Sequence, residues 1–206
     1  MKRLLLMGPP GSGKGTQAAI VSARLGISAI STGDIFRANV AGGTPLGIEA
    51  KKFISRGEFV PDSVTNAMVA ARLARPDAAT GFILDGYPRN VSQVDFLDGV
   101  LAEQGAKLDC VITLVVDVEE VVKRILRRAE AEGRSDDTEE VIRHRLELFA
   151  EQTAPLAEIY ADRGLLTRID GMGPVAEVAT RMLAIITNGD DELKMPNTAG
   201  ESAERA

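Results

Sequence analysis

With 206 residues, 45% of them hydrophobic, the chain is long enough to fill one good core. A formal net charge of -6 argues against a general nucleic-acid binder, because contacts to a phosphate backbone need a net basic face. The one cysteine, Cys110, excludes a disulfide framework and a four-cysteine zinc site; it fits a reducing compartment and reads as a buried structural thiol.

No apolar run approaches the roughly 20 residues that a membrane span needs. A strand begins within a few residues of Met1, which leaves no room for a signal peptide. A cytoplasmic protein is the expectation.

Residues 3–7 read as a short, continuously apolar strand of the kind buried on both faces of a parallel sheet. Gly8-Pro9-Pro10-Gly11-Ser12-Gly13-Lys14-Gly15-Thr16 follows, and then a helix over about residues 14–25. Closely spaced glycines let the backbone turn sharply and aim successive N–H groups at one point, to which the helix adds the positive end of its dipole. The stretch reads as a phosphate-binding loop, with Lys14 as a mobile charge for the outer phosphates of a nucleoside triphosphate. The usual hydroxyl directly after the lysine is displaced by one place: Gly15 stands there, and Thr16 carries the candidate Mg²⁺ ligand.

Residues 27–31 are predicted as a second strand, with Thr32-Gly33-Asp34 opening a helix capped by the Thr or the Asp. The two strands and the intervening helix would form a βαβ unit. Helical segments near residues 46–56 and 62–73, punctuated by Gly42-Gly43-Thr44-Pro45 and by residues 57–62, read as a helical insertion without strands. Residues 81–85 are the third strand, 91–103 a helix, and 108–116 a fourth strand. A helix over 118–132 has Val121, Val122, Ile125 and Leu126 on one side. It runs into the breaker Gly133-Arg134-Ser135-Asp136-Asp137, after which Thr138 caps a long helix to about 162, interrupted or kinked at Pro155. Residues 165–169 are a fifth strand, and Pro174 starts the last helix. Residues 188–206 lack apolar periodicity and are expected to be disordered.

Strands alternating with helices predict an α/β fold, a parallel sheet covered on both faces with ligands at the carboxyl ends of the strands. The unusual polar residues fall on that rim. Asp85 closes strand three, where a carboxylate can hold Mg²⁺ directly or through water. Arg37 and Arg89 are placed to converge on a second phosphate. Arg124, Arg128, Arg134 and Arg145 flank or occupy the breaker, where a closing lid needs positive charge. The sole histidine, His144, sits between Arg143 and Arg145, and no serine or cysteine has a base spaced for a triad. A phosphate monoester, largely dianionic at neutral pH, needs no such base.

These residues carry a resemblance. The phosphate loop, Ser31-Thr32-Gly33-Asp34 with Arg37, the pentapeptide Asp85-Gly86-Tyr87-Pro88-Arg89, the breaker at 133–137, Arg145 and Asp170-Gly171 together resemble the short-lid adenylate kinases, over about residues 1–186. The resemblance implies a P-loop fold with a five-stranded parallel sheet in a single kinase domain, residues 1–187. Its core would be residues 1–30, 61–128 and 139–187, its monophosphate-binding insertion 31–60 and its short lid 129–138. It implies the reaction MgATP + AMP ⇌ MgADP + ADP in a monomer, with Mg²⁺ entering with ATP on Asp85 and Thr16, and no structural zinc.

Carried over residue by residue, the resemblance makes Lys14, Arg89, Arg124, Arg134 and Arg145 catalytic. Gly11, Ser12, Gly13, Lys14, Gly15, Thr16, Arg128 and Gly173 would bind ATP, with Arg128 stacked on its adenine. Thr32, Arg37, Glu58, Val60, Gly86, Arg89 and Gln93 would bind AMP. A UMP/CMP kinase is the alternative enzyme, but that family has alanine where this chain has Thr32 and asparagine where it has Gln93. A non-catalytic nucleotide sensor would be expected to have lost Lys14, Asp85 or a lid arginine.

Overall fold

The structure, a computed structural model, describes residues 2–132 and 138–188, the side chains of 128–132 and 188 aside. Five parallel strands form one sheet: β1 (Arg3–Met7), β2 (Ser28–Ser31), β3 (Phe82–Asp85), β4 (Cys110–Val115) and β5 (Leu166–Asp170), in the spatial order β2-β3-β1-β4-β5. The first two strands are therefore not neighbours. β3 lies between them, pairing Ile83 with Leu4 of β1 and with Ala29 of β2.

Because side chains alternate across a strand, β1 feeds two cores. Leu5 and Met7 join Leu84, Phe82 and Val111 on one face, covered by α4 (Asp62–Leu73), α6 (Val91–Glu103) and α9 (Leu156–Asp162) through Val69, Leu97 and Tyr160. Leu4 and Leu6 join Ile83, Ile112 and Leu114 on the other, under α1 (Lys14–Leu25) and α10 (Val175–Asn188) through Val21, Val178 and Met182. Burial on both faces explains why these strands read as continuous apolar runs.

Two smaller clusters sit above the carboxyl ends of the strands. One packs α2 (Thr32–Ala41) and α3 (Pro45–Ile54) around Phe36, Ala50 and Val60. The other packs α7 (Val118–Glu132) against α8 (Glu139–Leu148) through Val121, Val122, Ile125 and Ile142. Thr138 caps α8 as expected, its hydroxyl accepting from Val141 N at 3.4 Å.

The predicted long helix after Thr138 is three pieces. α8 widens into a π-helical turn, Phe149–Thr153, closed by Ala154 N donating to Phe149 O at 2.8 Å, and α9 restarts after Pro155, which has no N–H to continue the ladder. A short helix, α5 (Pro76–Ala79), was not expected. Cys110 is half-buried rather than fully buried, and burial pushes its thiol pKa up. The breaker at 133–137 and the tail from 189 onward lie outside the described residues.

Candidate active site

One cleft of about 510 Å³ opens over the carboxyl ends of β1, β2 and β3. Its floor is the phosphate loop, residues 8–16, between β1 and α1. α1 starts after Gly13 with no side-chain cap, so the N–H groups of its first turn are left to an anion. Lys14 curls over the loop and donates to Gly8 O and Pro9 O, both at 2.8 Å. Gly11 has φ +78°, and a Cβ there would lie 2.5 Å from Ile125 Cγ1, so only glycine lets the loop run against α7. Gly11, Gly13, Gly15 and Thr16 line the cleft, while Ser12 is buried beneath it.

Asp85 ends β3 beside Leu6 of β1 and Ser31 of β2. Burial raises its carboxyl pKa above the usual range, against the pull of Lys14 and Arg89. Its Oδ1 is buried with no hydrogen-bond partner among the described residues.

On the opposite wall the expected helix cap is corrected. Ser31, not Thr32 or Asp34, caps α2, accepting from Asp34 N at 3.3 Å. Thr32 is released from capping and is 2% exposed; its hydroxyl donates to Gly86 O at 3.0 Å. Gly86 has φ +80°, and a Cβ would fall 2.6 Å from Thr32 Oγ1, so this approach also demands glycine. Arg37 pairs with Asp34 at the cleft edge. Glu58 and Val60 line the same wall.

Arg89 is held from several sides. Its Nε donates to Gly86 O at 2.8 Å, its guanidinium lies 4.8 Å from the Phe59 ring centre, and Thr153 Oγ1 donates to its carbonyl at 2.9 Å. Burial lowers its pKa from the usual guanidinium value; Asp85 works the other way, while Arg145 and Arg37 add to the lowering. Gln93 is 1% exposed and lines the cleft, but its amide is already engaged: Oε1 accepts from Arg89 N at 2.8 Å and Nε2 donates to Asp62 Oδ1 at 2.7 Å.

Arg124 and Arg145 reach the cleft from α7 and α8. Arg124 Nη2 lies 3.7 Å from Met172 Sδ, and Arg145 Nη2 donates to Ile54 O at 3.2 Å, which ties α8 to the helical insertion. Gly173 does not line the cleft. It sits exposed on the turn before α10, a turn held by Arg181 Nη1 donating to Asp170 O and Met172 O and by Gln17 Nε2 donating to Val175 O. Arg134 and the side chain of Arg128 lie outside the described residues.

Asp62, Asn90 and Thr153 were not singled out in the sequence. Asn90-Val91-Ser92-Gln93 did carry a signal, since Asn followed three places later by Gln is a helix-start pattern. Asn90 Oδ1 indeed accepts from Gln93 N at 2.9 Å.

The family model for adenylate kinase matches residues 6–165. The chain is 60% identical over 186 residues to an adenylate kinase of Pseudarthrobacter chlorophenolicus, covering 90% of this chain and 97% of that one. It is 58% identical over 180 residues to an adenylate kinase of a Nocardioides species, covering 87% and 94%. An adenylate kinase of Thermobifida fusca is 56% identical over 184 residues, covering 89% and 97%. Identity at this level over nine-tenths of the sequence, on this sheet and around this loop, means that the chain belongs to the adenylate kinase family, the nucleoside monophosphate kinases that interconvert ATP and AMP with ADP.

Proposed function

We propose that the chain catalyses MgATP + AMP ⇌ MgADP + ADP by direct in-line transfer. Residues 8–16 and α7 would hold the triphosphate, and the insertion, residues 31–60, together with the turn at 85–93 would hold the monophosphate. The observation that carries this reading is the meeting of Lys14, Arg37, Arg89, Arg124 and Arg145 on one cleft of an acidic protein. No general base is needed. The AMP phosphate, with second pKa about 6, arrives largely as a dianion. One of its oxygens bonds to the γ-phosphorus as the bond to the β,γ-bridging oxygen breaks, and the electron pair leaves on ADP.

In that step the loop N–H groups and Lys14 would stabilise charge on the β- and γ-phosphates, a stronger acceptor for Lys14 than the two carbonyls it now holds. Arg89, Arg124, Arg134 and Arg145 would surround the phosphoryl group in flight, and Arg37 and Arg89 would fix the acceptor phosphate. Asp85, with an orphaned buried oxygen, and Thr16, with a hydroxyl on the same cleft, fit a hard, oxygen-coordinated cation. Mg²⁺ bound there with ATP would neutralise phosphate charge. The remaining N–H and lone pair of Gln93 would read the adenine edge, and residues 129–138 would close as a lid, Arg128 stacking on the ATP adenine and the backbone near Gly173 contacting the same base. Among the described residues no helix is long and apolar enough to cross a membrane. A reducing, cytoplasmic location accords with the single cysteine of the sequence, and a monomer is part of the same reading.

Purified protein with MgATP and each of AMP, UMP, CMP and GMP should make ADP efficiently only with AMP; a preference for UMP or CMP would overturn the reading. Hydrogen exchange around residues 124–145 should slow with two adenosines joined by five phosphates and not with AMP alone. Equal protection by AMP would assign that segment to the other site.

A further inference from the structure

Asp62, the first residue of α4, does not line the cleft, yet every polar side chain at the start of α6 is hung on it. Its Oδ1 accepts from Gln93 Nε2 at 2.7 Å and from Asn90 Nδ2 at 3.1 Å; its Oδ2 accepts from Ser92 Oγ at 2.7 Å and from Asn90 Nδ2 at 3.1 Å. On the other side of the same amide, Arg89 N donates to Gln93 Oε1 at 2.8 Å.

The chemistry of the two partners decides which way the amide faces. A carboxylate only accepts, so Gln93 must turn its nitrogen to Asp62; a backbone N–H only donates, so it must turn its oxygen to Arg89. Reversing the amide would set Oε1 against Oδ1 and N–H against N–H in a site where Gln93 is 1% exposed, so both clashes would be buried. What remains for a ligand is one N–H and one lone pair, in a fixed sense.

That sense matters because purines come in two opposite patterns. The adenine edge offers a donor at N6 and an acceptor at N1, whereas a 6-oxopurine offers an acceptor at O6 and a donor at N1. A freely turning glutamine matches either. We propose that Asp62 is a specificity-determining positioning residue, which locks the Gln93 amide in the orientation that accepts a 6-aminopurine monophosphate and rejects a 6-oxopurine one. The proposal rests on the reading of Gln93 as the group that faces the acceptor base.

The test measures kcat/KM with MgATP for AMP and for inosine monophosphate in the wild type, Asp62→Asn and Gln93→Leu. Asparagine keeps the shape but can donate as well as accept, so the carboxylate's half of the lock is lost and only Arg89 N is left to orient the amide, while the junction stays filled. The AMP-to-inosine-monophosphate ratio should fall about tenfold in Asp62→Asn, through KM for AMP, with kcat at saturating AMP changed by less than about threefold. A purely structural role would depress both acceptors together, and an unchanged ratio overturns the proposal. If Gln93→Leu collapses the ratio and Asp62→Asn does not, the lock alone fails; if neither moves it, the reading of the base pocket fails as well. Should Asp62→Asn not fold, the unsubstituted protein still decides. One Gln93 side-chain amide proton, bonded to a carboxylate, should resonate well downfield of free glutamine amides, and a pair at the free position overturns the lock.

Discussion

Thr153 donates its hydroxyl to the carbonyl of Arg89 at 2.9 Å, a bond that spans 64 positions of sequence and exists because the π-helical turn swings Thr153 onto the cleft wall. Thr153 is 6% exposed, and the bond it makes to Arg89 is partly buried. Thr153→Val keeps the volume and removes the donor. It should cost about 1–3 kcal/mol of stability and lower kcat/KM for AMP more than that for MgATP. Chemical denaturation together with both substrate titrations checks this; equal loss for the two nucleotides would detach Thr153 from the monophosphate site.

Lys14 donates to the loop carbonyls of Gly8 and Pro9 and lines the cleft where the outer phosphates of the triphosphate would sit. Lys14→Ala should lower kcat by at least about a hundredfold, the scale of losing a main electrostatic stabiliser. Near-normal turnover in a well-folded variant would remove the loop lysine from the mechanism.

Asp85 sets function against stability. Burial raises its folded pKa, so its ionised form opposes folding at neutral pH, and the protein regains that stability as pH falls through the folded value toward the unfolded value of about 3.9. Asp85→Asn should therefore melt no lower than the wild type at neutral pH without nucleotide, and the two should draw together on acidification. Its phosphoryl transfer should fall by at least about a hundredfold, as when a major charge contact is lost. A variant that melts well below the wild type at neutral pH would mean that Lys14, Arg89 and Arg37 need the Asp85 charge more than burial disfavours it.

Asp62 has the opposite sign. Burial pulls its pKa up, but the donors on Ser92, Gln93 and Asn90 outweigh it and hold the carboxyl below the usual range. Its contribution to stability is thus complete above the unfolded value of about 3.9 and is lost as pH falls through the lower folded value. The stability gap between wild type and Asp62→Asn should be constant from neutral pH to about pH 5 and shrink below about pH 4. Urea denaturation across that range measures it; a gap that widens on acidification would show that the carboxylate is not held in its ionised form.

The phosphate loop, the Asp85 to Arg89 turn, the strand cores and the Thr138 cap were legible in the sequence, because each depends on residues within a few positions: glycines that permit a left-handed backbone, apolar runs, and a hydroxyl ahead of Glu139 and Glu140. The order of the sheet was not. The chain passes from β1 to β2 before β3 is made, and only packing between the elements puts β3 between them. The cap of α2 went to Ser31 because Thr32 finds a buried acceptor at Gly86, 54 positions away, a competition that no local pattern records. The same holds for the Gln93 amide. Its identity and helix position are local facts, but which way its amide faces depends on Asp62, which lies 31 positions earlier on a different helix and meets it only when α4 packs against α6.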